Sequence, residues 1–242
     1  MKWIGQHIYD YVATFRQSVT INDSTTSSAT EGGILSLISD DGAALGDDHR
    51  LGKIGFKAAE DGGGTIVEGA SIEAFADAAW SASENGTRLE FRTMDGNASE
   101  ELSLTLDSDR RATFTGPIHV NNAATSHATS GGALSLISDD GAALGDDHRL
   151  GGVIFKAAED GSSTIVTGAH ISAYADAAWS GSENGTRLEF YTSDGDASLE
   201  KSLTLDSDLL ATFAGAATIT GLTTLSDGLT FDSVALTAAQ TS

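Results

Sequence analysis

The stretch LSLISDDGAALGDDHRLG occupies residues 35–52, and the same eighteen residues return at 134–151. The spacing of 99 residues also relates GTRLEF at 86–91 to its second appearance at 185–190. Self-similarity at a fixed period is the sequence signature of a repeated structural unit. The chain therefore contains two copies of one module, and the repeated stretch lies near the start of each.

The repeat divides the chain into four predicted parts. Residues 17–115 form the first module and residues 116–214 the second. Residues 1–16 precede the modules, and residues 215–242 follow them. Each module is long enough to bury a core of its own.

Outward from the repeated stretch, short runs of alternating apolar and polar residues are separated by turn residues. Alternation is typical of strands, and the pair Asn85-Gly86 is a strong hairpin signal. Residues 65–80 are rich in alanine, which favours a helix, but their alternation favours a strand, which we adopt. In the first module we predict strands at 18–23, 34–39, 51–57, 65–80, 88–93 and 102–106. The pattern predicts an all-β fold, with each module an antiparallel sandwich or barrel.

The segment 1–16 is predicted to form a short helix. Its apolar residues follow the 3–4 spacing of a coiled-coil seam: Met1, Ile4, Ile8, Tyr11 and Phe15. Two heptads are marginal alone, so such a helix needs partners. Three partners are considered: other chains, the first module of the same chain, and a membrane surface. We favour other chains, so that the helix would serve oligomerisation or attachment.

The segment 215–242 has apolar residues without a helical or a strand period. It is too short to bury them by itself. We expect it to be a shaft-like segment that packs against the second module or against sister chains.

The charge of the chain limits its partners. The net charge is −22, which repels nucleic-acid phosphates and anionic membranes. There is no cysteine, and no apolar run is long enough to span a bilayer. Polar residues interrupt the N-terminal segment, so we predict no signal peptide and synthesis in the cytoplasm.

An acidic loop lies inside the repeated stretch, from Asp40 to His49, and again from Asp139 to His148. Clustered carboxylates suit hard cations such as Ca²⁺, but the spacing is not that of an EF-hand loop. Asp-Gly is also ordinary turn chemistry. We favour a turn over a cation site.

No residue is predicted to be catalytic, to ligate a metal or to bind a cofactor. The short motifs of hydrolases, metalloproteases and phosphate-binding loops are missing from the sequence. His119 and His127 lack a histidine at the matching place in the first module. Trp80 and Trp179 occupy matching places, where a tryptophan anchors a core or interface more often than it stacks on a sugar.

Most of the positions that differ between the modules are expected to face water on the strands. They include Lys53/Gly152, Glu68/Thr167, Ser71/His170, Glu73/Ser172 and Arg92/Tyr191. This pattern predicts that the two modules share the same core residues and differ in their surface residues.

Five pieces of the sequence occur in a distinctive order. KWIGQHIYDYV at 2–12 is followed by RLGKIGFKAAED at 50–61, GASIEAFAD at 69–77, ENGTRLEFRTMDG at 84–96 and LTLDSDRRATFTG at 104–116. The first piece resembles segments at or near the start of tail-fibre proteins of tailed bacteriophages, especially marine phages. The other four, in this order, resemble the recurring β-module of those proteins.

The resemblance implies a structural virion protein, usually a homotrimer, attached to the phage tail or baseplate by its N-terminus and reaching toward the host surface. Many such fibres end in a self-cleaving chaperone or a receptor-binding tip, and neither is visible here. We therefore expect a non-enzymatic, trimeric spacer in the tail fibre. The alternatives are an adhesin module that binds host-surface glycans and a polysaccharide-degrading enzyme.

Overall fold

The computed structural model describes residues 14–26, 28–123, 128, 131–196, 198–218 and 220. Within these residues the regular structure is β-strand and there is no helix. The chain divides into two compact units, Met1–His119 and Val120–Ser242. Each unit contains one antiparallel sheet of five strands.

The first sheet is a meander in which each strand pairs with the next one along the chain. Its strands are β1 (Arg50–Ala59), β2 (Ile66–Ala76), β3 (Thr87–Met94), β4 (Glu100–Leu106) and β5 (Ala112–Phe114). The second sheet has the same order of pairing. Its strands are β6 (Arg149–Ala158), β7 (Ile165–Ala175), β8 (Thr186–Ser193), β9 (Leu199–Leu205) and β10 (Ala211–Phe213). Each strand of the second sheet begins 99 residues after its counterpart.

The hairpin turns are held by aspartates, as the sequence chemistry suggests. Between β1 and β2, Glu60 N donates to Thr65 O at 2.9 Å, and Asp61 Oδ1 accepts from Gly63 N at 2.9 Å. Between β3 and β4, Asp95 Oδ1 accepts from Asn97 N at 2.9 Å. Short polar side chains that bond to the backbone two residues on stabilise such turns.

The all-β antiparallel class is confirmed, as are the strands predicted at 51–57, 65–80, 88–93 and 102–106. Residues 18–23 and 34–39 were predicted as strands, and this is wrong, since neither forms one. In that stretch no residue from 33 to 44 makes a backbone–backbone hydrogen bond to another described residue. Alternation alone cannot supply the pairing partner that a strand requires.

Each unit contains a single sheet among its described strands, so the two layers of a sandwich are not formed by these strands. Most of the predicted helix at 1–16 lies outside the described residues, and residues 14–16, which are described, are not helical. The predicted shaft-like segment 215–242 also lies outside them, except for residues 215–218 and 220. The trimer, too, was predicted from the sequence, and a single chain does not test it.

The described residues include no helix that is long and apolar enough to cross a membrane.

Candidate functional site

The acidic loop, residues 40–49, is fastened to the end of β2. Asp48 N donates to Ala76 O at 3.2 Å, and Ala76 N donates to His49 O at 2.9 Å. A Cβ on Gly46 would lie 2.9 Å from Nε2 of His49, so the glycine leaves room for the imidazole over the loop. The counterparts Gly145 and His148 repeat this arrangement.

The carboxylates of the acidic loop bond to the protein itself. Asp40 Oδ1 accepts from Gly42 N at 3.0 Å, and Asp41 Oδ1 accepts from Ala43 N at 3.1 Å. Asp48, which has a φ of 60°, pairs with Arg88 at 2.7 Å. These contacts are those of a structural turn, the interpretation favoured from the sequence.

Trp80 joins the acidic loop to the turn before β3. Its backbone N donates to Leu45 O at 2.8 Å, and its indole Nε1 donates to Gly86 O at 3.1 Å. Trp179 makes the same two contacts at 2.8 and 3.1 Å. Both rings are half-buried, so each tryptophan anchors its loop while part of it stays accessible.

A cavity of about 490 Å³ opens beside Trp80. Its walls are mostly apolar, with contributions from Leu37, Ile38, Leu45 and Leu51. A cavity of about 340 Å³ lies at the matching place beside Trp179. Volumes of a few hundred Å³ with apolar walls are in the range of binding pockets.

One side of the first sheet, the polar face, carries an ionic network. Residues paired across strands share a face, which places Lys53, Glu73 and Glu90 together. The network comprises Arg50, Lys53, Glu68, Ser71, Glu73, Arg88, Glu90, Arg92 and Glu100.

Glu73 and Glu90 are the buried carboxylates of this face, with 4% and 5% exposure. Glu73 lies 2.8 Å from Lys53 Nζ and 3.2 Å from the guanidinium of Arg50. Glu90 lies between Arg88, at 2.7 Å, and Arg92, at 2.6 Å. Buried charges are tolerated only when they are paired and hydrogen-bonded, as both are here.

The ammonium of Lys53 occupies a natural cation position. Glu68, Glu73 and Glu100 present carboxylate oxygens within 4.8 Å of one another. Lys53 pairs with Glu68, and its Nζ lies 2.8 Å from Glu73 and 3.7 Å from Glu100. The lysine thus supplies the positive charge that three converging carboxylates require.

The pKa values reflect these contacts. Burial acts to raise the pKa of Glu73, but hydrogen bonds from Lys53, Ser71 and Arg50 outweigh it and lower the pKa to about 2. The hydrogen bonds from Lys53 to Glu68 and Glu73 raise the pKa of the lysine. Both groups are therefore charged throughout the neutral range.

The polar face of the second sheet is built differently. Where the first sheet has Lys53, Glu68, Glu73 and Glu100, the second has Gly152, Thr167, Ser172 and Leu199. One lysine and three glutamates are thus replaced together. The second face cannot form the same ionic cluster.

New contacts replace the lost ones around Glu189, which is 3% exposed. Arg187 pairs with it at 2.9 Å, Lys201 at 3.0 Å, and the hydroxyl of Tyr191 donates to it at 2.5 Å. Burial and the bond to Glu189 raise the pKa of Tyr191 to about 12. The ring of His170 lies 4.1 Å from that of Tyr191.

The opposite side of each sheet, the apolar face, is crossed by a row of large side chains. In the first sheet the row consists of Ile54, Ile72, Phe91, Leu104 and Phe114, each paired with the next. In the second sheet it consists of Val153, Ile171, Phe190, Leu203 and Phe213.

Much of the apolar face is open to solvent. Ile54 is 43% exposed, Phe56 53%, Leu106 39% and Phe114 49%. In the described part of the chain, the hydrophobic residues that are fully buried are Ala76 and Ala175. A contiguous apolar surface of this kind marks an interaction site.

The prediction that the differing positions face water is wrong for part of the set. Ser71, Glu73 and Ser172 are 2%, 4% and 1% exposed. In the first sheet, the long side chains of Arg50 and Lys53 lie over Glu73, whose carboxylate accepts from Ser71 Oγ at 2.9 Å. Alternation predicted which residues share a face, but it did not predict that residues of the charged face would be buried.

Of the two histidines considered, His119 lies in an exposed part of the chain without strand structure. His127 lies outside the described residues.

No protein-family model and no curated protein sequence matches the chain. Two solved structures of bacteriophage T5 are similar to it. One is the carboxy-terminal domain of the L-shaped tail fibre with its intramolecular chaperone domain, with a TM-score of 0.59, 10% identity and coverage of 91% of this chain and 72% of that one. The chain has a tail-fibre fold.

The second structure is the carboxy-terminal domain of the same T5 tail fibre. It has a TM-score of 0.57 and 8% identity, and the match covers 88% of this chain and 100% of that one. At this identity the similarity is one of fold. The resemblance to tail-fibre modules seen in the sequence is confirmed at that level.

Proposed function

We propose that this chain is a structural, non-enzymatic subunit of a phage tail fibre, a rigid trimeric spacer between the virion tail and the host surface. The tail-fibre fold supports the proposal. In this assembly, residues 17–115 and 116–214 are the spacer modules. Residues 1–16 attach to a tail or baseplate protein, and residues 215–242 continue the shaft.

The apolar face of each sheet is the observation that carries the proposal. Single-layer sheets with large apolar side chains on one side need a second surface to cover them. The polar face needs none, since its charges are paired within the chain. Other copies of the chain would supply the missing layer and would also protect β1 and β5, the edge strands of the sheet that the described residues form.

Analytical ultracentrifugation and negative-stain imaging test the proposal. We expect a particle of three times the chain mass of 24.8 kDa, elongated in images. A compact monomer at micromolar concentration would overturn it.

A glycan-binding adhesin is a second candidate function, favoured by the accessible cavities beside Trp80 and Trp179. Asn85 and Ser81 add polar groups to the first cavity. Sugars commonly bind where an aromatic ring lies beside such groups.

A glycan array compares wild type with Trp179→Phe and with Asn184→Ala. Binding that both variants reduce, with an unchanged circular dichroism spectrum, would support the adhesin. Binding that neither variant changes, or none in the wild type, would reject it.

A further inference from the structure

We propose that Ile38 and Ile137 are contact residues between copies of this chain, and that Ile38 and the cavity beside it form an apolar socket that a second copy fills. We define the socket by Leu37, Ile38, Leu45, Leu51 and Trp80. The inference rests on the proposed multi-chain assembly and locates one of its contacts.

Exposure is the first argument. Ile38 is 81% exposed and Ile137 is 82% exposed. Ile34 and Leu35 are 72% and 66% exposed. These are four large apolar residues within five positions, and none makes a backbone–backbone hydrogen bond to another described residue. Such side chains are costly to leave in water.

The position of this segment is the second argument. A Cβ on Gly52 would lie 2.8 Å from Cβ of Leu37, so the segment passes directly over β1. Gly151 and Leu136 repeat the contact at 2.8 Å. Because Gly52 pairs with Ala74 one row from Ile54 and Ile72, the segment lies over the apolar face. Segment and face together form one surface.

The size of that surface is the third argument. In the first unit its exposed members are Ile34, Leu35, Leu37, Ile38, Ile54, Phe56, Leu106 and Phe114, at 39–81% exposure. A large apolar side chain presents roughly 150–200 Å², so together they expose on the order of 700 Å². A stable interface buries about 800 Å² on each partner.

The repeat identifies the occupant as another copy. Residues 34–52 and their counterparts 133–151 differ at one position, where Ile34 is matched by Ala133. The polar faces, by contrast, have lost Lys53 and three glutamates between units. Ile38 and Ile137 are exposed and identical in the two units, although the polar faces of the two sheets differ. We infer that the same partner surface contacts both isoleucines.

The test is the double variant Ile38→Asp/Ile137→Asp. The matched control is Ile66→Asp/Ile165→Asp, since these residues are 63% and 59% exposed. Ile66 lies two positions from Glu68 on β2, which places it on the polar face. The two variants thus make the same change at similar exposure on opposite faces.

Sedimentation over a range of concentrations measures the association. We expect the variant at 38 and 137 to associate at least tenfold more weakly than wild type, and the control to match wild type. Circular dichroism checks that both are folded, and Ile38→Ala/Ile137→Ala gives a milder second variant. If wild type assembles and the variant at 38 and 137 assembles equally well, the inference is wrong and the proposed function stands. If wild type is monomeric, the proposed function fails first.

Cross-linking gives an independent measurement, because the chain has no cysteine. Ile38→Cys with a bismaleimide should yield covalent multimers on a denaturing gel, whereas Ile66→Cys should not. Equal multimer yields from the two positions would contradict the inference.

Discussion

At the residue scale, Glu73 makes the stability of the first sheet depend on pH. Hydrogen bonds from Lys53, Ser71 and Arg50 outweigh the effect of burial and hold its folded pKa at about 2, well below the ordinary value of a glutamate. A carboxylate with a lowered folded pKa stabilises above its unfolded pKa, and this stability is lost as the pH falls through the folded value. We expect the first sheet to lose on the order of 2–3 kcal/mol between about pH 5 and pH 2. Hydrogen exchange of amides in β2 measures it.

Glu73→Gln should reduce the protection of the β2 amides from hydrogen exchange at pH 7. It should also make that protection change less as the pH is lowered. Glu101→Gln is the control, since Glu101 is exposed and makes no ion pair in the described part of the chain. Equal acid profiles for wild type and Glu73→Gln would show that the carboxylate does not carry the effect.

Gly52 tests the packing of the repeated stretch on the sheet. In Gly52→Ala the new Cβ would lie 2.8 Å from Cβ of Leu37, which cannot be relieved by a side-chain rotation. We expect a loss of about 1–3 kcal/mol, the usual cost of overpacking. Thermal unfolding measures it.

Gly69→Ala is the control for that substitution, because the new Cβ would lie 3.7 Å from Phe56 O, an ordinary van der Waals distance. It should leave the stability unchanged or raise it slightly. A Gly52→Ala protein as stable as wild type would show that Leu37 does not lie against the strand.

At the scale of the element, residues of the first polar face can be replaced by their counterparts from the second. Lys53→Met removes the ammonium from among Glu68, Glu73 and Glu100, and breaking one partner out of a buried ionic cluster costs about 3–5 kcal/mol. Replacing all four residues by those of the second sheet, Gly, Thr, Ser and Leu, removes the charges together. We expect the quadruple variant to be more stable than Lys53→Met.

Denaturant unfolding of the two variants measures this coupling. If the quadruple variant is less stable by the sum of its single substitutions, the four residues act independently, and the network interpretation is wrong.

The strands show what a sequence can predict. Alternation and turn residues located β1 to β4, since both are local signals. The segment 34–39 alternates equally well and forms no strand, because pairing depends on a partner that the pattern does not encode. Likewise, the burial of Glu73 on β2 depends on which charges the register brings to it, here Arg50 and Lys53 of the neighbouring strand β1.

The socket was only partly visible in the sequence. Trp80 and the acidic loop were recognised as a matching pair of features, but the contact between Trp80 and Leu45 joins residues far apart in the chain. The signal in the sequence that pointed to the socket residues was their identity between the two modules. It identified residues under constraint without showing whether they were buried or exposed.

At the scale of the whole molecule, charge opposes the assembly that the apolar faces favour. Each chain carries a net charge of −22, so copies repel one another. The screening length falls from about 10 Å at 0.1 M salt to about 3 Å at 1 M. We therefore expect association to strengthen as sodium chloride rises over this range, by sedimentation at fixed protein concentration.

The acidic loops, which follow Ile38 and Ile137 closely in the chain, should carry much of this effect. Asp40→Asn and Asp41→Asn, with the same changes at Asp139 and Asp140, keep the oxygen that accepts the turn hydrogen bond and remove four negative charges from each chain. This variant should associate more tightly than wild type at 0.1 M salt and respond less to added salt. Association that weakens with salt in wild type would mean that ion pairs between chains, and not apolar contacts, hold the copies together.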